Sequence, residues 1–404
     1  MIGVDLYFIL LILIAILGTL KGANILGRIL YWLYATIGLC AVIAIYDGAL
    51  NSKQLVIPYL YLILVYLIYF APFMKRDTDF SVSKLNTRVN NRYVFFLVVY
   101  VLCTIITIKC FLPSIISLFA SGNWAMNRYN LYLGEMTFPY SNTFELIVMN
   151  ATDYFRLMAL VVSFAILREE GVQKKKYIIA FSGIISAVVS MLCSAIYTSS
   201  RGTVVNTFIL VIALYCFFQN DFEKNKKRYF IIIASLGVAA VIPYLLEVTI
   251  SRFTTGASSA VISYFGQAPI VFSSGVWDIN KYMYGDFAFG KLFGHSSFSE
   301  ASIGGTWDNG FYTFVGWLFI DWGPIGVLLL GVLIALITNR FMRKQEYLIS
   351  DVYLIMFFYS TLLQGVFVIG RSYCYTMVVS FVIYFIFKVF FDKYKFKIGR
   401  IMID

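Results

Sequence analysis

Charge is scarce in this sequence. Only 13% of its 404 residues are Asp, Glu, Lys or Arg and 60% are hydrophobic, where a soluble domain carries about 25% charged residues. That balance excludes a soluble globular enzyme, a disordered chain and a peripheral membrane protein. Histidine is scarcer still, with His295 alone. The six cysteines all lie inside apolar runs and none forms C-x-x-C. A Cys/His zinc site and a disulfide framework are therefore not expected, and no metal or cofactor is called for. No internal repeat and no low-complexity segment interrupts the chain. No small-residue cleavage pattern follows the first apolar run, which begins almost at Met1 and ends at Lys21. It reads as a retained first helix, not a signal peptide.

What is present is long apolar runs, and the mean hydropathy is +0.81. Runs of about 20 residues match the ~30 Å hydrocarbon core of a bilayer crossed as helix. Strands of a membrane barrel would be shorter and would alternate. The fold class expected is an all-α polytopic membrane protein. Eleven spans are predicted, at 3–20, 26–46, 55–74, 93–112, 146–167, 177–197, 203–219, 229–247, 322–339, 348–369 and 373–391. A single integral domain over 1–404 is expected, with two long loops at 113–145 and 248–321.

The net charge of +11 does not point to nucleic acid, because cytoplasmic loops of membrane proteins collect Lys and Arg. One set of alternate loops holds 23 of the 32 basic residues. The positive-inside rule then puts the C-terminus inside, the N-terminus outside and both long loops outside.

The basic residues that are not inside, on the other side or at span ends, are Lys53, Lys109, Arg128, Arg156, Arg201, Arg252, Lys281, Lys291 and Arg371. Arg201 sits in a very short turn, T-S-S-R-G, and Arg371 in another, I-G-R-S-Y, while Arg252 follows the eighth span directly. None can move far from the membrane surface. Arginine's planar fork binds phosphate oxygens bidentately and stays charged. Arg201, Arg252 and Arg371, with Arg128, read as a site for the pyrophosphate of a lipid-linked substrate. The alternative is that they snorkel to lipid headgroups or pair with acidic residues.

Asp153 and Arg156 fall three residues apart inside the fifth span, close enough to pair on a helix. They read either as a functional site at membrane depth or as a self-neutralising structural pair. His295, Asp278, Asp286, Glu300 and Asp308 are the candidates of the second loop for general-base chemistry. The D-T-D at Asp77–Asp79 falls in a basic loop on the cytoplasmic side and reads as solvated. Trp124, Trp277 and Trp307, with Tyr129, Tyr132, Tyr140, Tyr264, Tyr282 and Tyr284, line a sugar groove or form a membrane-interface belt.

The stretch D-N-G-F-Y-T-F-V-G-W-L-F-I-D-W-G-P-I-G, Asp308 to Gly326, resembles a segment of Wzy-type oligosaccharide repeat unit polymerases. Asn309, Tyr312, Thr313, Asp321, Gly323 and Gly326 carry the match. The departure is Gly310 and Phe311, which stand between Asn309 and Tyr312 where the family usually has one residue. T-S-S-R-G at Thr198–Gly202 is similar to a short turn of such polymerases and of related O-antigen ligases. I-S-Y-F-G-Q-A-P at Ile262–Pro269 resembles the Tyr-Phe stretch of their large loop.

The resemblance implies a GT-C-like, inverting and metal-independent glycosyltransferase in the bacterial cytoplasmic membrane, with its active site facing outside. Its substrate would be an undecaprenyl-pyrophosphate-linked oligosaccharide, polymerised into O-antigen, capsule or exopolysaccharide. A chain-length regulator and a flippase would be its membrane partners. Asp308 and His295 are then the catalytic candidates, and Asn309, Tyr312, Thr313 and Tyr264 the substrate-binding ones. Tyr312 and Thr313 are expected at the outer membrane surface. Asp321, just before W-G-P-I-G, is expected to cap the N-terminus of the ninth span, a role that Asn would fill about as well. The competing readings are an O-antigen ligase, with the same chemistry, and a repeat-unit flippase.

Overall fold

The computed structural model describes residues 2–48, 50, 55–74, 89–133, 139–169, 173–219, 222–223, 227–228, 230–232, 235, 237, 242–244, 257–289, 312–344, 346–366, 373–392, 396–398 and 401–403. Among these the chain is helices joined by turns and short irregular segments, with one two-stranded hairpin, Phe396–Ile398 with Ile401–Ile403. The helices are α1 (Ile2–Leu20), α2 (Ile25–Tyr46), α3 (Val56–Phe70), α4 (Asn91–Ser121), α5 (Trp124–Leu133), α6 (Thr143–Arg168), α7 (Lys174–Tyr197), α8 (Arg201–Phe218), α9 (Ala257–Ser274), the four-residue α10 (Asp286–Phe289), α11 (Thr313–Met342), α12 (Ile349–Gln364) and α13 (Tyr373–Ile386). Among the described residues, eight helical segments are long and apolar enough to cross a membrane. Two more, Gly202–Phe218 and Ile349–Gln364, are apolar but shorter. The architecture is that of an all-α, multi-pass membrane protein. Most of the expected span at 229–247 lies outside the described residues.

Both loop boundaries need correction. The helix expected to stop before Pro113 continues to Ser121. Ile115, Ile116, Leu118 and Phe119 keep the run apolar, and membrane helices tolerate an interior proline. Trp124–Leu133 is helix as well. In the second loop, Ala257–Ser274 is an 18-residue helix and Thr313–Asp321 is already helical. Hydropathy misses α9 because its small and polar residues serve close packing, not lipid contact. Gly266 lies so near α2 that a Cβ there would fall 2.6 Å from the Cys40 carbonyl carbon. Small residues allow such backbone approach in membranes.

The chain forms two compact units. One comprises Met1–Ser81, Phe253–Lys344 and Phe358–Val378. Its core is aromatic. Tyr7, Tyr34, Tyr59, Tyr66 and Phe70 are each at most 2% exposed. Tyr34 packs edge-on against Tyr66 at 4.7 Å and Phe70 at 4.9 Å. Two tyrosine hydroxyls tie the end of α12 to α2. Tyr34 donates to the Leu362 carbonyl at 2.8 Å and Tyr359 to the Leu26 carbonyl at 2.9 Å.

The second unit comprises Val82–Arg252, Gln345–Phe357 and Val379–Asp404. Here α4, α6, α7 and α8 pack side by side. A polar cluster fastens the start of α4 to the turn after α13. Asn90 Nδ2 donates to the Phe391 carbonyl at 2.8 Å, and Arg92 donates to the Phe390 carbonyl. Asp392 accepts from the Tyr93 hydroxyl and, at 3.2 Å, from the Ser350 amide. Burial holds the Asp392 carboxyl above the usual carboxylate range. Lys388 stands 3.9 Å from Asp351. The expected Asp153–Arg156 pair forms on α6 at 2.5 Å, with the aspartate side chain 59% exposed and the arginine 16%.

Candidate functional site

The stretch Tyr312–Gly326 folds as a helical hairpin within the first unit. Inside α11, Gly323 has φ 66° and ψ −178°, far from helical values. A straight helix would hold Phe314 and Val327 about 20 Å apart, at 1.5 Å per residue. Both nevertheless meet Tyr69, whose ring centroid is 4.9 Å from that of Phe314 and whose hydroxyl is 3.4 Å from the Val327 carbonyl. The chain therefore reverses at Gly323. Along α3, Phe314 lies beside Tyr66 and Tyr69, and Phe319 beside Tyr61. The returning segment meets Tyr61 through the Pro324 carbonyl and Tyr69 through Val327. Residues 313–322 thus run antiparallel to α3 and 324–342 parallel to it. Pro324 suits the first position of the returning helix, where its missing N–H is not required. Gly323 is needed twice over. Its φ is left-handed, and a Cβ would meet the Tyr282 ring at 3.1 Å.

The apex of the hairpin is clasped by the segment before it. Both oxygens of Asp321 accept backbone N–H groups, from Gly285 at 2.8 Å and Ala288 at 3.0 Å. Met283 N–H donates to the Ile320 carbonyl at 2.9 Å. Asp321 is completely buried. It is a cap, as expected, but of the short helix α10 thirty-odd residues earlier in the chain, not of the span that follows it. Around the clasp, Trp277 and Phe272 pack with Tyr61 and Phe319. Trp322 Nε1 donates to the Tyr373 hydroxyl at 2.8 Å.

Tyr312 and Thr313 are each 1% exposed. They open the ascending half of the hairpin beside Tyr66 and Tyr69, ten residues and more into α3. Both side chains are packed inside the first unit, since the reversal at Gly323 carries them back along α3. Thr313 Oγ1 accepts from the Val315 amide at 3.2 Å, and the Phe314 amide donates to the Gly365 carbonyl at 2.7 Å. Tyr264 lies in α9 and is 8% exposed. Its ring stands edge-on to Phe265 at 5.7 Å.

A separate arrangement in the second unit ties the helix that carries Arg128 to the turn that carries Arg201. Arg201 is the first residue of α8, after the N-cap Ser200. Arg128 lies on α5. Asn127, its neighbour, donates from Nδ2 to the Tyr197 carbonyl at 2.7 Å and to Ser199 Oγ at 2.9 Å. Trp124 anchors the same helix, edge-on to Tyr244 at 5.4 Å in a cluster with Leu118, Ala195 and Val204. The side chains of Arg128 and Arg201 lie outside the described residues. So do Arg252, His295, Asp308, Asn309 and Arg371 altogether, and with them the expected convergence of the arginines.

Three non-glycine residues among those described have positive φ, namely Ser199 at 49°, Tyr284 at 50° and Thr313 at 61°. Such backbone persists only where the surroundings enforce it, and it clusters at functional sites. Ser199 falls in the T-S-S-R-G turn, Thr313 in the Asp308–Gly326 stretch, and Tyr284 in the segment that clasps it. Sequence reasoning singled out all three places, Tyr284 as one of the aromatic residues of a sugar groove or an interface belt. It missed Asn127, whose amide carries no periodic signal, and the partner of Asp321, which only the folded chain supplies. No protein-family model, curated protein or solved structure matches this chain.

Proposed function

We propose that this protein is a membrane glycosyltransferase of the Wzy type, with a GT-C-like bundle of eleven spans and its active site on the outer face of the bacterial cytoplasmic membrane. It joins undecaprenyl-pyrophosphate-linked oligosaccharide repeat units into a surface polysaccharide. The observation that carries this reading is the Asn127 tie, which holds the helix that bears Arg128 to the Thr198–Gly202 turn before α8. A helix N-terminus flanked by arginines is suited to phosphate oxygens. The strained Ser199 and Thr313, both inside the stretches that resemble the family, support it further.

In this mechanism a sugar hydroxyl of one lipid-linked unit attacks the anomeric carbon of the growing chain. The new glycosidic C–O bond forms as the bond to pyrophosphate breaks. The leaving pyrophosphate takes the electron pair, and its growing charge is stabilised by the arginines proposed to bind it. The hydroxyl proton passes to a general base, Asp308 or His295.

The reversed helix at Gly323 favours the rival flippase, because broken helices line the substrate path of many transporters. The lipid-linked glycans of a deletion strain separate the readings. A polymerase leaves single repeat units on the outer face and no long chains. A ligase leaves long chains on the lipid carrier. A flippase leaves no units on the outer face, and that result overturns the proposal.

A further inference from the structure

Tyr284 is a residue that neither the backbone nor the core explains. Its φ of 50° is left-handed and is followed by Gly285 at 96°. Gly, Asn or Asp fits that first position at less cost than an aromatic residue. Its side chain is 76% exposed, so burial does not select it. Yet the chain holds it firmly. The Met283 amide is bound to the Ile320 carbonyl on one side, and the Gly285 amide to Asp321 on the other. Tyr282 stands perpendicular to it, ring centroids 6.4 Å apart at 87°, and is itself wedged against Gly323 and Phe319. The result is an exposed aromatic ring on a strained backbone that is hydrogen-bonded on both sides. Asp278, Asn280 and Lys281, exposed on the same segment, supply a carboxylate, an amide and an ammonium group.

We infer that Tyr284 is the stacking platform of a carbohydrate subsite, taking a pyranose ring of the oligosaccharide. The inference rests on the glycosyltransferase reading and names where that substrate's sugar is held. The C–H face of a pyranose is apolar and matches the face of a tyrosine ring. Its hydroxyls need donors and acceptors of the kind that Asp278, Asn280 and Lys281 offer. A platform fixed before binding loses little conformational freedom on ordering, and that favours affinity. Stored backbone strain is then the cost of presenting the ring. A tyrosine of the membrane-interface belt has no such requirement. It needs only to reach the headgroup layer, from any backbone.

The test uses the full chain in nanodiscs and three variants, Tyr284→Phe, Tyr284→Leu and Tyr284→Gly. Two probes are used: the lipid-linked repeat unit accumulated by a strain lacking this gene, and the free oligosaccharide released from it. Saturation-transfer NMR with the free oligosaccharide reads ring contact directly, and polymerisation of the lipid-linked unit gives KM. Tyr284→Gly and Tyr284→Leu should lose the transfer signal and raise KM by about tenfold or more. Tyr284→Phe should restore most of both. Tyr284→Gly should unfold no earlier than wild type, because glycine removes the strain. That separates a lost platform from a damaged fold. Wild-type transfer signal in Tyr284→Gly or Tyr284→Leu overturns the subsite, as does a loss shared equally by all three variants. A signal that depends on Tyr284 in a protein that makes no polymer supports the subsite and defeats the polymerase instead.

Discussion

Asp321 and Gly285, 36 residues apart in sequence, are joined by a hydrogen bond of 2.8 Å between a fully buried carboxylate oxygen and a backbone amide. The other oxygen of the same carboxylate takes the Ala288 amide. The structure thereby reverses the sequence expectation for Asp321→Asn. An asparagine has one acceptor oxygen, and its NH2 would face an N–H donor. An unmet buried donor costs about 1–3 kcal/mol. Asp321→Asn should lower the thermal midpoint in detergent, and Asp321→Ala, with both donors unmet, should lower it further. A wild-type midpoint for Asp321→Asn would show that the clasp does not hold the apex.

The reversal at Gly323 should be intolerant of any side chain. Alanine there meets the cost of a backbone region open essentially to glycine, about 1–3 kcal/mol, and its Cβ also meets Tyr282. Gly22 has a similar φ of 73° with nothing within 4 Å. Gly22→Ala should therefore carry the backbone cost alone. Thermal unfolding should rank Gly323→Ala as the more damaging change, and equal effects would mean that neither the ψ of −178° nor Tyr282 adds to the cost.

The Asp153–Arg156 pair of α6 should show coupling in a double-mutant cycle. Asp153→Leu leaves the largely covered Arg156 without its counter-charge, at about 1–3 kcal/mol. Arg156→Leu does the same to an aspartate in a candidate span. The double leucine variant should be more stable than the sum of the singles predicts. Strict additivity in membrane-reconstituted protein would remove the pair's structural role.

Arg201→Ala should abolish long polysaccharide chains at unchanged protein level, and Arg201→Lys should restore them only in part, since lysine lacks the bidentate fork. Asn127→Leu, which breaks the tie between α5 and the Thr198–Gly202 turn, should raise KM for the lipid-linked unit more than it lowers kcat. Chain-length profiles on gels and initial rates measure both. Full activity in Arg201→Ala membranes would take that arginine out of the mechanism.

The sequence by itself determined the membrane character, the helical class and most helix positions. Each of those follows from local composition, because a helix in lipid satisfies its own backbone and needs only a long apolar run. It also marked Thr198–Gly202 and Asp308–Gly326 as unusual, and both carry strained residues. It could not place α9, whose small residues become legible only against the Cys40 backbone of α2. It could not show that the chain doubles back at Gly323, because Tyr69 bridges Phe314 and Val327 only in the folded unit. It assigned Asp321 a cap but gave it the wrong helix. Which amide a carboxylate meets is a question of distance in space, and hydropathy and spacing carry no information about contacts between segments so far apart in the chain.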